Sequence, residues 1–416
     1  MPPEILSEVF LWTVSSLMTR WRVSQVSHRW REVVLSTPSL WSLVFVPRRK
    51  AGLLPMIEAQ VTRKRAQSLN LKIHFYGSDA VTESTNQIQL FEFLSEHSLR
   101  WEELFVRLAA GMVPLMKKLR GRLPCLRRLS VRWYNAKSQI GVDSIKCFNT
   151  ASSLEDVELR SFRCIPIPFP TDRLTSYRVK GPLELHQQVL KMAPNIIEAR
   201  VVVAFDLDQP WPEPSGPAID MLHLKRLYVT HIEILDYLRA PSVAELAIDF
   251  STIDGNSAAI DCLEAFLLRS SCRPPQLCFQ NFPDVSLTAQ ILEKYTFITA
   301  IVFLVQGHDV EVYDAHLDMF AKTPIAFPHL NEISFVSWDD FYFEYPSILK
   351  MLQARRSAQS ALGKAAFIAS EGASPDPATA AALDTLRKAG MTVSILFENT
   401  RRYHWTRWTL DNPWVL

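Results

Sequence analysis

One short phrase recurs along most of the chain and constrains its fold more than any other feature. Each copy begins with a large apolar residue and continues with the alternation of side chains that is typical of a β-strand. The clear copies are Leu69–Phe75, Leu104–Leu108, Leu126–Val131, Leu154–Leu159, Leu224–Val229, Val243–Ile248 and Leu330–Phe335. Weaker copies start near Leu174, Ile196, Leu277 and Thr299. The copies lie roughly 20 to 35 residues apart, which is a spacing typical of repeat proteins.

Helical patterns separate several of these strands. One covers Leu183–Met192, and another covers Ala258–Leu268. The last helix begins near Ser374–Asp376 and ends at Gly390, a residue type that commonly terminates helices, and a strand over 391–397 follows. A strand and a helix that alternate, with each pair too small to close its own core, predict an array of stacked α/β units.

The first 41 residues have a different character, because they contain four tryptophans: Trp12, Trp21, Trp30 and Trp41. A segment this short encloses too little volume to bury so much aromatic surface. The sequence therefore predicts apolar surface that either the rest of the chain or a second protein covers.

Two helices and a turn are predicted in this segment. Pro2, Pro3 and Glu4 suit the first turn of a helix, and a second helix is expected from Trp21 to Leu35. Proline disfavours helix in the residue before it, so Ser36–Pro38 should end that helix. The turn Ser39–Trp41 is expected to point its two large apolar side chains outward.

Three segments in order, residues 2–10, 23–31 and 36–41, resemble an F-box. The family pattern has a Leu-Pro near its start, an acidic and apolar first helix, a Val-Cys-x-x-Trp segment and a closing Leu-Trp. Met1 occupies the leading leucine position, and Ser27 stands where cysteine is usual. The resemblance is closest to fungal F-box proteins, in which a segment like Leu-Ser-Thr-Pro-x-Leu-Trp is common.

The resemblance implies docking to the Skp-family adaptor of a cullin-based ubiquitin ligase. The positions that match the family pattern are Pro2, Leu6, Val26, Trp30, Leu40 and Trp41. The later repeats resemble degenerate leucine-rich repeats, and an F-box followed by such repeats is a familiar family arrangement. The expected target-binding residues alternate outward on the concave side of that array: Ser130, Arg132, Glu158, Arg160, Tyr228 and Thr230.

The expected fold is therefore α/β in three parts. Residues 1–46 form a small all-α F-box module, residues 47–66 form a basic linker or capping helix, and residues 67–416 form an irregular leucine-rich-repeat solenoid with a C-terminal cap. The solenoid is expected to be a curved, mostly parallel sheet with helices on its outer face.

Two basic segments leave alternatives open. Arg48–Lys50 and Arg63–Arg65 flank an apolar stripe, which suits a helix joining the module to the array or a two-part nuclear localisation signal. Arg401–Trp408 mixes bases with aromatics and precedes Trp414. This segment could cap the last repeat, contact a target, or stack on single-stranded nucleic acid.

The sequence contains none of the glycine-rich phosphate loops, nucleophile elbows or zinc-protease motifs that accompany common enzymes. The ten histidines are scattered, and the acidic pairs Asp206–Asp208 and Asp339–Asp340 fit surface turns. We therefore expect no catalytic residues, no cofactor and no metal. The balance of 45 basic against 43 acidic residues gives no general attraction to nucleic acid.

Six sparse cysteines indicate reduced thiols rather than a disulfide framework. The longest apolar run, 298–305, is too short to cross a bilayer, and the N-terminus does not resemble a secretory signal. We expect a cytoplasmic or nuclear protein without membrane contact.

The leading hypothesis is a non-catalytic specificity subunit that holds a protein target near a ubiquitin-charged enzyme. The first alternative is a repeat scaffold for protein–protein interaction without a ligase role. The second is a nucleic-acid binder that places the predicted helix Trp21–Leu35, with its flanking arginines, in a groove.

Overall fold

The fold is that of a computed structural model. The residues that the structure describes are 1–13, 17–47, 52–62, 70–77, 85–204, 210–214, 216–250, 256–281, 283–305, 310–322, 327–337, 344–358, 360–369 and 375–397. Both basic clusters of the linker and the C-terminal segment 401–414 lie outside them, as do the acidic pairs at 206–208 and 339–340. Their predicted roles stay predictions.

The chain is mixed α/β and forms two compact units, Met1–Ile196 and Ile197–Leu416. The helices of the first unit are α1 Pro3–Thr13, α2 Leu17–Val26, α3 His28–Ser36, α4 Leu54–Val61, α5 Thr85–Glu96, α6 Val113–Lys118 and α7 Leu183–Met192. Its strands are β1 Leu43–Val46, β2 Leu71–Tyr76, β3 Trp101–Arg107, β4 Arg128–Trp133, β5 Asp156–Ser161 and β6 Ser176–Gly181. The predicted boundaries at residues 46 and 66 fall inside this unit.

The second unit contains β7 Glu198–Val203, β8 Ile219–Asp220, β9 Arg226–Val229, β10 Leu238–Arg239, β11 Glu245–Asp249, β12 Gln276–Gln280, β13 Ala300–Val305, β14 Glu332–Ser337, β15 Lys364–Ala369 and β16 Thr392–Phe397. Its helices are α8 Asn256–Ser270, α9 Val285–Lys294, α10 Val310–Lys322, α11 Tyr345–Ser357 and α12 Pro377–Lys388. The short strands β8 and β10 pair with each other, apart from the main strands.

Parallel strands dominate both units. In the first unit β1 to β6 lie side by side in chain order, and in the second unit β7, β9 and β11 to β16 do the same. The predicted strands are confirmed, including the weaker ones. Four strands were not predicted: the two-residue strands β8 and β10, β1, which was assigned to the all-α module, and β15, whose Lys-Ala-Ala-Phe-Ile-Ala sequence lacks the leucine-rich start.

The leucine that opens each phrase explains why the strands repeat. Leu126, Leu154 and Leu174 are buried two residues before their strands. Beside each of them, a backbone N–H of one repeat donates to a carbonyl of the repeat before it, as from Glu155 to Arg127 at 2.8 Å and from Thr175 to Glu155 at 2.8 Å. A side chain that anchors the loop and a hydrogen bond that fixes its register therefore recur together.

Described ring contacts between helices and strands fall on one face of the strands in each unit. Phe91 of α5 meets Phe75 of β2 with ring centroids 5.2 Å apart. Tyr313 of α10 meets Phe335 of β14 at 5.1 Å. Side chains one residue earlier or later on these strands point to the other face, which we call the non-helical face.

The helix predicted from Trp21 to Leu35 is wrong as a single helix, because the chain forms α2 and α3 instead. Ser27 separates them with extended backbone, and its hydroxyl accepts a hydrogen bond from the Trp30 N–H at 3.1 Å. A serine at this position stabilises the start of a new helix better than it continues the old one. The premise of a long arginine-flanked helix for a nucleic-acid groove is therefore not met.

Other helix predictions hold. Helix α7 has the predicted bounds. Asp376 caps α12, because its carboxylate accepts hydrogen bonds from the Ala378 and Thr379 N–H groups. Gly390 follows α12 with a φ of 93°, in the left-handed region that glycine adopts without steric cost. No helix in the described part of the chain combines the length and apolar character needed to cross a membrane.

A buried histidine in the second unit predicts a pH dependence of stability. His316 on α10 lies against Thr288 of α9, and burial lowers the pKa of its imidazole from 6.5 to about 4. The unfolded chain therefore binds a proton near pH 6.5 that the folded chain binds only near pH 4. The free energy of unfolding is therefore unaffected by this group above pH 6.5, and it decreases as the pH falls from 6.5 toward 4.

We expect the wild type to lose about 2 kcal/mol more of its free energy of unfolding than His316→Gln between pH 7.5 and pH 5. Denaturant unfolding at both pH values measures this difference. The exposed His329→Gln is the matched control and should follow the wild type. Equal losses in wild type and His316→Gln would contradict the prediction.

Candidate functional site

The N-terminal module, which we define as α1 to α3 with the turn Pro38–Trp41, has a core of its own. Its buried side chains are Leu6, Phe10, Val33, Val34, Leu40 and Trp41, and Trp21, Val23 and Trp30 pack partly buried against them. Trp41 is held by a hydrogen bond from its indole Nε1 to the Val34 carbonyl at 2.9 Å. The Trp21 and Trp41 rings meet edge to face, with their centroids 5.7 Å apart.

Three of the six residues predicted to contact the adaptor lie in this core. Leu6, Leu40 and Trp41 face inward, so the expectation that the 39–41 turn exposes its apolar side chains is wrong. The physical reason is that the turn is a short 3₁₀ helix, Pro38–Trp41, which brings both side chains back under α1 and α3. Pro2 and Val26 are exposed as predicted, and Trp30 is half-buried. The side chain of Trp12 lies outside the described residues.

The exposed apolar surface of the module is aliphatic instead. Ile5 is 51% exposed, Val26 is 62% exposed, and Val9 is also exposed. Ile5 and Val9 are four residues apart, so they lie on one side of α1, while Leu6 and Phe10 face the core. The sequence analysis did not single out Ile5 and Val9 as exposed apolar residues, although their helical spacing is visible in the sequence.

Ile5 and Val26 lie on elements that meet at the start of the module. The Arg29 guanidinium donates a hydrogen bond to the Met1 carbonyl, which ties the beginning of α1 to the beginning of α3. Val26 ends α2 one residue before the Ser27 cap of α3. Met1, Ile5 and Val26 are each exposed on these elements, and we call the three side chains together the N-terminal patch.

The following helix binds the module to the first strands. Gln60 of α4 is buried, and its amide donates to the carbonyls of Trp41 at 2.6 Å and Leu43 at 2.9 Å. Ile57 and Val61 on the same helix are also buried. The predicted joining helix between residues 47 and 66 is therefore present as α4, over part of that range.

Four of the predicted target-binding residues come together on the non-helical face of the first unit. Glu158 of β5 accepts hydrogen bonds from Ser130 at 2.9 Å and from Arg132 at 2.7 Å. Arg160 pairs with the same carboxylate through its Nε at 2.9 Å. The strand register sets this cluster, because Ser130 lies opposite Glu158 and Arg132 lies opposite Arg160. Arg132 also stacks over the Phe105 ring at 5.1 Å.

Two further ion pairs lie on the same face. Arg178 donates to both oxygens of Asp156, at 2.8 and 2.9 Å. His74 and Glu103 are hydrogen-bonded at 2.7 Å. Burial alone would raise the pKa of the Glu103 carboxyl, but the His74 hydrogen bond and the nearby cations outweigh it and hold that pKa below its ordinary value.

The remaining two predicted residues belong to the second unit and do not join this cluster. The Tyr228 hydroxyl donates a hydrogen bond to the Gln280 side-chain oxygen at 2.7 Å. The Arg200 guanidinium lies over the Tyr228 ring, 4.5 Å from the ring centre. Burial raises the pKa of the Tyr228 phenol well above its ordinary value. Thr230 accepts a hydrogen bond from the Val203 N–H at 3.0 Å, which joins neighbouring repeats.

The expectation that all six of these residues face outward is wrong in part, because several of their side chains are buried. Ser130, Glu158 and Tyr228 are buried, so they have no surface to offer a partner, and Arg132 is nearly so. Arg160 and Thr230 keep partial exposure. Side chains at alternate strand positions share a face, but their exposure depends on how long neighbours fold over them, which alternation does not reveal.

The described residues show no constellation that performs obvious chemistry. Among them, no group of three or more histidine, cysteine, aspartate or glutamate side chains converges as a metal site. All six cysteines are free. Burial raises the pKa of the Cys147 thiol to about 12 and that of Cys272 to about 11, so these two thiols stay protonated at neutral pH.

Comparison with known proteins adds no assignment. No protein-family model matches the chain, and no curated protein matches it.

The N-terminal module allows core and surface contributions to be separated by mutation. Trp41→Ala removes a buried indole, so we expect it to weaken the module by about 3–5 kcal/mol. Val26→Asp changes an exposed side chain and should change stability by no more than about 0.5 kcal/mol. Native-state hydrogen exchange of the α3 amides measures both. Equal protection in the two variants would contradict the assignment of Trp41 to the core.

The buried carboxylate of the first unit provides a second test. Glu158→Gln leaves Arg132 and Arg160 without their shared counter-charge, so we expect it to cost about 3 kcal/mol of the free energy of unfolding. Urea unfolding measures the loss. Glu155→Gln, one residue before the same strand, removes a more exposed partner of Arg127 and Arg173 and should change the midpoint little. Equal midpoints for both variants would refute this role of Glu158.

Proposed function

We propose that this chain is the non-catalytic substrate-recognition subunit of a cullin-based, SCF-type ubiquitin ligase. In this proposal residues 1–46 are an F-box module that docks to the Skp-family adaptor, and through it to a cullin. The later parallel strands and helices are an irregular leucine-rich-repeat solenoid that binds a protein target. The place of action is the cytoplasm, the nucleus or both.

The observation that carries the proposal is the N-terminal patch. The module closes a core of its own and still leaves Met1, Ile5 and Val26 exposed. Exposed aliphatic side chains of this kind are typical of a surface that another protein covers. The first two F-box-like segments lie on the elements that carry these residues, the third forms the core turn Pro38–Trp41, and Ser27, at the family's cysteine position, caps α3.

The repeat assignment is supported by the recurring hydrogen bonds and buried leucines between parallel strands. Leucine-rich repeats place a strand and a helix or 3₁₀ segment in each unit. The first unit has both kinds of connection, such as the 3₁₀ segment Cys147–Thr150 before β5 and the helix α7 after β6. No chemistry is needed from such a subunit, since holding a target beside the charged enzyme raises the effective concentration of its lysines.

The second candidate is a repeat scaffold without a ligase role. It is favoured by the inward placement of Trp41 and by the Gln60 hydrogen bonds that join the module to the following helix. These contacts would also be present in a module that serves only to cap the first strands.

Co-purification with a Skp-family adaptor distinguishes the two candidates. We expect the wild type to retain the adaptor and Ile5→Asp with Val26→Asp to reduce recovery about tenfold or more, because a central apolar contact typically contributes 2 kcal/mol or more. Leu268→Asp is the control, since it places a charge on an even more exposed leucine of α8.

Recovery equal in wild type and the double variant would remove the ligase proposal and leave the scaffold. The two substitutions avoid Trp41, whose loss would lower recovery simply by opening the core of the module. Hydrogen exchange in α3 checks that both aspartate variants remain folded.

A further inference from the structure

The non-helical face of the first unit separates its charges by depth. Its carboxylates have little solvent exposure: the Glu158 side chain is 2% exposed, and those of Glu103 and Asp156 are also largely covered. Each of the three is already hydrogen-bonded to a basic side chain of the same face. These acids are therefore already paired with basic side chains of the sheet and are largely covered from solvent.

The outer layer of the same face is cationic. Lys180 on the last strand of the unit is exposed, and Arg128, which pairs with Glu103 at 3.8 Å, is still 60% exposed at its side chain. Arg160, Arg107 and Lys72 are partly exposed at other positions of this face. A partner that approaches the face therefore meets ammonium and guanidinium groups before it meets any carboxylate.

The second unit provides an internal comparison. On the corresponding face, Arg226 pairs with Glu198 at 2.5 Å and Lys364 pairs with Glu332 at 2.6 Å. The acids of these pairs lie at the same strand level as their bases, one strand away. The described strand positions of this face carry more acids than bases in the second unit, and more bases than acids in the first unit.

The spacing of the cations suits an extended peptide. Parallel strands lie about 4.8 Å apart, so the three steps from Arg107 on β3 to Lys180 on β6 cover about 14 Å. About four residues of extended chain have this length. Acidic side chains at alternate positions of such a chain would face the sheet together, and guanidinium groups bind carboxylates with paired hydrogen bonds.

The aromatic side chains of the face argue against nucleic acid as the partner. Tyr76 and Phe105 pack against each other with ring centres 4.8 Å apart, and both are buried. Binding of single-stranded nucleic acid uses exposed rings on which bases stack. Phe105 lies beneath Arg132, and neither buried ring can stack on a base. The exposed ring beside the face, Tyr134, already stacks on the Arg107 guanidinium at 5.2 Å.

We propose that the non-helical face of the first unit binds an acidic, extended segment of a protein. This inference rests on the proposed function only in identifying that protein as a ligase target. Arg107, Arg160 and Lys180 supply the accessible charges of this row, while Glu158 and Asp156 fix the neighbouring arginines in place.

The test uses the full chain and a fluorescent peptide of alternating glutamate and serine, with a glutamine-for-glutamate peptide as its neutral counterpart. We expect the acidic peptide to bind at least tenfold more tightly than the neutral one, with affinity that falls as salt rises. Arg107→Gln with Lys180→Gln should weaken binding about tenfold. Lys117→Gln with Lys146→Gln removes the same charge from exposed positions on α6 and just before the 3₁₀ segment Cys147–Thr150, and should leave affinity unchanged.

Equal affinity for the two peptides, or equal losses in the two double variants, would overturn the inference. Displacement of the peptide by single-stranded oligonucleotide at lower concentration than by acidic peptide would also overturn it. Recovery of the adaptor is measured on the same proteins. If the wild type does not retain the adaptor, the ligase proposal alone is removed. If the wild type retains the adaptor but does not bind the acidic peptide, this inference alone is removed.

Discussion

The hydrogen-bonded register between successive parallel strands is the constraint on which the remaining structure depends. Each repeat ties its loop to the preceding one through a backbone hydrogen bond beside a buried leucine, as at Arg127 and Glu155. This register sends one set of side chains toward the helices and the other set to the opposite face. The ion-pair cluster around Glu158 exists because the register sets Ser130 opposite Glu158 and Arg132 opposite Arg160.

The two candidate surfaces use apolar and charged groups in opposite ways. The N-terminal module buries its large aromatic groups and exposes aliphatic side chains, whereas the first-unit sheet face buries its acids and exposes cations. An apolar surface gives affinity that depends weakly on salt, and a cationic surface gives affinity that salt screens. One chain would thus hold two partners by different physical means, as a subunit that links an adaptor to a target requires.

Sequence reasoning predicted the strands well, because burial on the helical face imposes a period of two that survives variation in each repeat. It missed β15, whose three alanines give little apolar contrast, and β1, which follows the helical module directly. Four of the six residues that it predicted to contact a target lie on one face of the first unit. It could not predict their exposure, since Glu158 is covered by arginines whose direction depends on neighbouring strands.

The sequence by itself determined the repeated parallel strands, the helices between them and the F-box-like order of the first segments. Local rules suffice there: apolar period, proline, capping residues and glycine act over a few neighbouring positions. Only the tertiary structure decided which tryptophans face inward, that Ile5 and Val26 form the surface, and that the acids of the sheet lie beneath its cations. These outcomes depend on contacts between residues far apart in the chain, such as Gln60 with Trp41 and His74 with Glu103.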